Sequence, residues 1–304
     1  MTQSRVVPSP ALPVAGLSQS EPSRASNEVR PERLHTVKGA GGLDLCVAEA
    51  GNPEGPPVLL VHGFCQSYVS WRPVLHSALG LDLRLVAVDL RGHGGSAKPE
   101  SGYTEGRLWA EDLHAVITAL RLERPVLVGW SYGGVVITDY LRHYGQKNVA
   151  GAHFVGALTR LGKPEFYADF GPEFLPILPE LLSPDAATGL RAVDRFVTLL
   201  TQQPLPLAMR DEVVGYNAAV PHPVRLGVSQ RGEDASDVLR GLSIPVLATH
   251  GEADRVVVPA TSQHIASLVP HAELSLYAGV GHSPFWEDSR RFNAELSRFV
   301  ARCR

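Results

Sequence analysis

Leu127-Val128-Gly129-Trp130-Ser131-Tyr132-Gly133-Gly134 is the stretch on which the reading of this chain turns. Pro125-Val126-Leu127-Val128 before it is short, apolar and β-branched, which reads as a buried strand. After it, Val135, Val136, Ile137, Tyr140, Leu141 and Tyr144 recur at helical spacing. A strand, a tight turn through Gly129-Trp130-Ser131-Tyr132-Gly133 and a helix form the context a G-x-S-x-G nucleophile elbow requires. Glycines two residues either side of Ser131 let strand and helix approach without a Cβ in the way.

Composition narrows the classes. Hydrophobic residues at 44% and charged residues at 19% of 304 describe an ordinary globular protein with a large core. The net charge of −3 and the lack of a basic block give no reason to expect nucleic acid or a membrane surface as partner. No apolar run reaches the ~20 residues of a membrane helix. Cys46, Cys65 and Cys303 are odd in number, widely separated and without metal-ligand spacing. Free thiols in a reducing, cytoplasmic setting are the simplest expectation.

Residues 1–30 are rich in serine and proline and read as a disordered tail. Arg5 and Arg24 against Glu21 leave an organellar presequence open, whereas Pro8, Pro10 and Pro13 break the only candidate secretory core. From Leu34 the chain alternates. A hairpin over Gly39–Gly42 leads into strands at Val58–Val61, Leu83–Val88, Val126–Val128, Val149–Val155, Pro245–Thr249 and Glu273–Tyr277. Helices are expected over Trp71–Leu79, from Thr104, after Ser131, and near Ser262–Leu268. This pattern predicts a mostly parallel central sheet with helices on both faces. The alternation stops over 158–242, where Pro164, Pro172, Pro176, Pro179 and Pro184 punctuate amphipathic runs such as Ala187–Leu200. A helical cap over the sheet's C-terminal edge is expected there, set into a body of 31–157 and 243–304. Phe166, Tyr167, Phe170, Phe174 and Phe196 read as cap core first and pocket wall second.

A serine hydroxyl needs a base, and the base an orienting carboxylate. Two strand ends C-terminal to Ser131 offer them. The strand at 245–249 runs into His250-Gly251-Glu252-Ala253-Asp254, and the strand at 273–277 into Gly281-His282-Ser283-Pro284. Both ends fall on the sheet edge that carries Ser131, where open parallel sheets bind ligands.

With His62-Gly63-Phe64 and Asp89-Leu90-Arg91-Gly92-His93-Gly94-Gly95-Ser96 added, the chain from about Leu34 to Phe299 resembles an α/β-hydrolase. Within that superfamily it is most similar to small bacterial serine esterases and their cofactor-free haloperoxidase and perhydrolase relatives. The resemblance implies Ser131 as nucleophile, Asp254 as acid, His282 as base, and an oxyanion hole from the backbone N–H groups of Phe64 and Tyr132. It implies no metal and no organic cofactor. Dehalogenase and epoxide-hydrolase branches carry aspartate at the elbow, so Ser131 argues against both. Cys65 stands where perhydrolase-like relatives often have proline, which bears on peracid chemistry more than on ester hydrolysis.

The expected function is therefore hydrolysis of a carboxylic ester or lactone of a small to medium-sized molecule through an acyl-enzyme. A C–C bond hydrolase of a diketone-type substrate and a slow-turnover receptor on the same fold are the alternatives. Cys65, Trp130, Tyr167, Val257 and Phe285 are expected around the pocket, Cys65 as a neutral residue shaping the Phe64 loop. Glu252 is the rival to Asp254. His62, His93, His250 and Asp89 read as loop scaffold. Nothing in the sequence indicates an oligomer.

Overall fold

Each short apolar run becomes a strand. In chain order the strands are β1 (Arg33–Lys38), β2 (Asp44–Gly51), β3 (Pro57–Val61), β4 (Arg84–Val88), β5 (Val126–Trp130), β6 (Gly151–Val155), β7 (Arg160–Leu161), β8 (Glu233–Asp234), β9 (Val246–Gly251) and β10 (Glu273–Tyr277). This computed structural model describes residues 32–304, so the tail expected over 1–30 lies outside the described residues. Eight strands make one sheet in the order β1-β2-β4-β3-β5-β6-β9-β10. β1 and β2 pair antiparallel, β2 joins β4 antiparallel, and every later pairing is parallel. The central strands are buried on both faces, which is why they read as unbroken apolar runs. Val58, Leu59, Leu60 and Val61 are fully buried, each side chain worth about 1.5–3 kcal/mol of transfer free energy.

Helices Gly106–Ala119 and Gly133–Tyr144 pack together on one face, with Ser236–Arg240 and Ala260–Leu268 continuing that layer. The other face carries Ser289–Arg302 and the single turn Arg72–Leu75. Two expected helices differ. The helix over Trp71–Leu79 breaks into 3-10 turns around that single α turn, because Ser77 diverts the backbone: its Oγ donates to Val74 O and accepts from Leu79 N–H. The helix expected from Thr104 begins at Gly106, with no side-chain cap at Glu105.

The insertion after β6 is mainly helical, with Ala186–Leu199, Leu207–Ala218 and His222–Ser229 as its longer helices. It is not wholly helical: β7 and β8 pair antiparallel where the chain enters and leaves it. Ser236–Arg240, inside the span expected for the cap, packs against Gly133–Tyr144 and Ala260–Leu268. The insertion is held down by backbone bonds to the loop after Asp254. Gly171 N–H donates to Val256 O (2.9 Å) and Val258 N–H to Asp169 O (2.9 Å). A covering segment is thus bonded directly to the loop carrying a candidate catalytic carboxylate.

Candidate active site

β5 delivers Ser131 to the C-terminal edge of the sheet and the helix from Gly133 leaves at once. Ser131 is held at φ 55°, the left-handed region that L side chains avoid. The turn closes because both flanking positions are glycine. A Cβ on Gly129 would lie 2.6 Å from Gly133 O, and one on Gly133 would lie 2.4 Å from Val61 O. Ser131 N–H donates to Val155 O at 3.0 Å, tying the turn to β6. Its Oγ makes no hydrogen bond among the described residues and faces a cavity.

Asp254 follows β9 and His282 follows β10. Asp254 Oδ1 accepts the N–H groups of Val256 (2.8 Å) and Val257 (3.0 Å), so its own turn fixes it. His282 Nδ1 lies 2.7 Å from Asp254 Oδ2. A carboxylate only accepts, so Nδ1 carries the proton and Nε2 is free to act as base. Trp130 Nε1–H donates to His282 O at 2.9 Å, which anchors the histidine loop to the residue before Ser131. Burial alone would raise the Asp254 carboxyl, but His282 and His250 outweigh it and hold the group well below the ordinary carboxylate range. Glu252, the rival acid, is exposed and its side chain makes no hydrogen bond among the described residues.

The backbone N–H groups of Phe64 and Tyr132 donate to no protein acceptor among the described residues. Phe64, Ser131 and Tyr132 all line a cavity of about 250 Å³. Its remaining walls come largely from the insertion and are apolar: Leu161, Phe170, Phe174, Leu178, Leu182 and Phe196 among them. Tyr167 and Val257 also line it. A larger, charged depression of about 790 Å³ lies at the opposite end of the sheet, under Arg84, Arg121 and Arg124, with none of these groups near it.

Three expected pocket residues are not on the wall. Trp130 and Phe285 are fully buried behind the site, their rings edge-to-face at 5.0 Å, with Phe285 stacked on Trp71 at 4.3 Å. Both pack instead into an aromatic cluster with Trp71 and Trp286, where offset and edge-to-face ring contacts hold them. Cys65 is fully buried at φ 59° beneath the Phe64 loop, and burial pushes its thiol up to about 12. Such a thiol is neither wall nor nucleophile. Phe166 likewise stays out of the cavity, under the Arg160 guanidinium at 5.0 Å.

The remaining motif residues brace the loops. His62 Nδ1–H donates to Gly63 O (2.8 Å) and its Nε2 accepts Leu90 N–H (3.0 Å). His93 Nδ1–H donates to Arg91 O at 2.9 Å. Asp89 accepts the N–H groups of Tyr68 and Gly95, both at 2.7 Å. His250 does more than brace a strand end, since its Nε2 lies 2.9 Å from Val257 O and 3.1 Å from Asp254 Oδ2. Facing two acceptors, that nitrogen carries a proton, and Asp254 Oδ2 accepts from two imidazoles. Sequence reasoning also missed Arg231, which is fully buried against Tyr132 and Asp139. No local signal marks it, because Tyr132 and Asp139 lie 99 and 92 positions away in sequence.

Burial also sets an acid limit on the fold. It lowers the imidazoles of His62 to about 4 and of His93 and His153 to about 3, from an ordinary 6.5. Below pH ~6.5 the unfolded chain takes up these protons before the folded one, so stability present above that pH is lost as pH falls toward 3–4. Tm should fall between pH 7 and 4, and more shallowly in His153→Phe, where a third ring joins Phe292 and Phe299. A scanning-calorimetry series showing a flat Tm over that range would contradict this account.

The comparisons with known proteins identify the family. Residues 56–289 match the family described as alpha/beta hydrolase fold, and the chain belongs to that family. A putative aryl esterase from Burkholderia cenocepacia superposes with a TM-score of 0.83 at 36% identity, covering 89% of this chain and 99% of that one. An esterase from Rhodococcus sp. ECU1013 superposes with a TM-score of 0.84 at 37% identity, over 88% and 98%. A non-heme haloperoxidase from Rhodococcus erythropolis is 28% identical over 285 residues, 87% of this chain and 98% of its own. This is an α/β-fold hydrolase with esterase relatives. No helix among the described residues is long and apolar enough to cross a membrane.

Proposed function

We propose that the chain hydrolyses a carboxylic ester or lactone with a compact apolar acyl group through an acyl-enzyme on Ser131. The observation that carries this reading is the convergence on one apolar cavity. There Ser131 in its strained turn meets two unpartnered backbone N–H groups, and Trp130, the residue before it, is hydrogen-bonded to the loop in which His282 pairs with Asp254. His282 Nε2 takes the Ser131 proton as Oγ attacks the carbonyl carbon. The carbonyl oxygen becomes an oxyanion held by the Phe64 and Tyr132 N–H groups. Collapse expels the alkoxide, which leaves with the proton from His282. Water then gives its proton to the same imidazole and attacks the acyl carbon, releasing the acid and Ser131. Hydrogen bonds of this kind tighten when substrate arrives, so the unpaired Ser131 Oγ is compatible with the role.

The cavity supports a compact acyl group. Its volume equals about eight water molecules at liquid density, room for a short or single-ring acyl group rather than a long chain. Phe170, Phe174 and Phe196 offer ring faces and the walls carry no cation, so a charged acid is disfavoured. The three unpaired cysteines fit a cytoplasmic, reducing setting for this activity. The test is labelling with a fluorophosphonate, then kcat/KM for aryl esters of rising acyl length. Labelling at Ser131 with a rate maximum at short to single-ring acyl groups is expected. A steady rise through long chains would refute the acyl assignment, and absent labelling would refute the mechanism.

A further inference from the structure

Arg231 is an expensive residue to place where it is. Its side chain is fully buried, and an isolated buried cation is unfavourable by several kcal/mol unless paired and hydrogen-bonded. Three partners compensate it. Nη2 donates to both Asp139 oxygens (2.9 and 2.8 Å) and to Glu233 Oε1 (2.8 Å), and Nη1 donates to the Tyr132 hydroxyl at 2.7 Å. The guanidinium also sits 5.7 Å from the Trp109 ring and 5.6 Å from the Tyr132 ring, and these two rings meet edge-to-face at 5.4 Å.

Two of these partners belong to one element. Tyr132 is the N-cap residue of the helix Gly133–Tyr144, and Asp139 lies seven residues on, along the same helical stripe. Gripping both sets the rotation of the first two turns of that helix. The direction of the Tyr132 N–H follows from the same rotation. Arg231 itself stands at the root of the insertion. Val228 and Ser229 just before it line the cavity, and Glu233–Asp234 just after it pair with Arg160–Leu161. That root is tightly closed: a Cβ on Gly162 would lie 2.2 Å from Arg231 O, and φ there is +83°. One side chain thus connects the pocket cover to the residue after Ser131.

We infer that Arg231 is a positioning residue for the oxyanion hole, fixing the Tyr132 N–H through the Tyr132 hydroxyl and Asp139 and coupling that donor to the seated insertion. Generic stabilisation is a weaker explanation, since a buried ion pair can often be replaced by apolar residues without loss of stability. The inference rests on the hydrolase reading above, in which that N–H receives the developing charge.

The test compares wild type, Tyr132→Phe, Arg231→Lys and the double variant. Each is read by Tm, by kcat and KM on an aryl ester, and by the Ki of an aryl trifluoromethyl ketone that forms a tetrahedral adduct. Deleting an oxyanion donor outright costs about 10²–10³ in kcat, so loosening one should cost about 10-fold. Tyr132→Phe keeps the ring and removes only the hydroxyl. It should lower kcat by about 10-fold and weaken the ketone by a similar factor, with KM changed less than about 2-fold. Because both single changes break one contact, the double variant should be little worse than the poorer single. Unchanged kcat and Ki in a folded Tyr132→Phe, a rise in KM alone, or losses that multiply would each overturn the inference. Should Arg231→Lys fail to fold, Tyr132→Phe decides by itself. A wild type that neither labels nor hydrolyses would overturn the hydrolase reading and this inference together. An active wild type with an indifferent Tyr132→Phe removes the inference alone.

Discussion

Ser131→Ala is expected to abolish fluorophosphonate labelling and to lower ester turnover by roughly four to six orders of magnitude, leaving the fold intact. The loss is chemical and not structural. Ser131 Oγ makes no hydrogen bond among the described residues, and alanine keeps the Cβ that packs against Gly63. The strained backbone at φ 55° is held by the Ser131 N–H to Val155 O bond and by Gly129 and Gly133, none of which the substitution touches. Tm should therefore move by no more than a degree or two. Mass spectrometry of the labelled protein and an aryl-ester assay read both halves. Turnover at the wild-type rate would mean that the nucleophile lies elsewhere.

Asp254→Asn is expected to lower kcat by about 10⁴ while the protein still folds. Two backbone N–H groups, from Val256 and Val257, bind Oδ1 and will hold the amide oxygen of asparagine there. The amide NH₂ then takes the place of Oδ2 and faces two nitrogens, His282 Nδ1 and His250 Nε2. His282 must turn its proton to Nε2 to accept from that NH₂, which blocks the nitrogen needed as base. Raising the pH cannot restore it, so the defect should persist across the profile. A loss of less than about tenfold would show that the carboxylate does not set the tautomer. The stability effect follows from the low-lying Asp254 carboxyl. Its favourable contribution is full above the ordinary carboxylate range and is lost as pH falls through its lower folded value. Asp254→Asn should narrow its Tm deficit as the solution is acidified below about pH 4.

The insertion links the two halves of this site. Phe170 pairs with Val257 in an isolated bridge, and the flanking backbone bonds reach Val256 and Val258. The loop that orients Asp254 is therefore also a seat for the cover. Arg231 performs the corresponding task at the other end, next to Tyr132. Substitutions deep in the cover can then change kcat as well as substrate choice.

Sequence alone determined the sheet, because each strand announces itself over a few residues. Val58–Val61 and Val126–Val128 are buried runs whose environment is written in their own side chains. Gly129 and Gly133 around Ser131 were legible for the same reason: the close approach they permit is local to the turn. Asp254 and His282 could be located because each ends a strand on one edge, and the topology rule places such ends together. Helix limits were less legible where a single side chain diverted the backbone, as Ser77 does between two turns. The pocket walls and Arg231 were decided only by tertiary structure. Trp130 and Phe285 sit close to the site in sequence yet pack behind it, while Leu178 and Leu182, on which the sequence placed no expectation, arrive at the wall from the insertion. Arg231 meets Asp139 across 92 positions, and a charge that remote is indistinguishable in sequence from one on the surface. Only the folded chain brings such a pair out of water together, where low dielectric makes the contact strong and its absence costly.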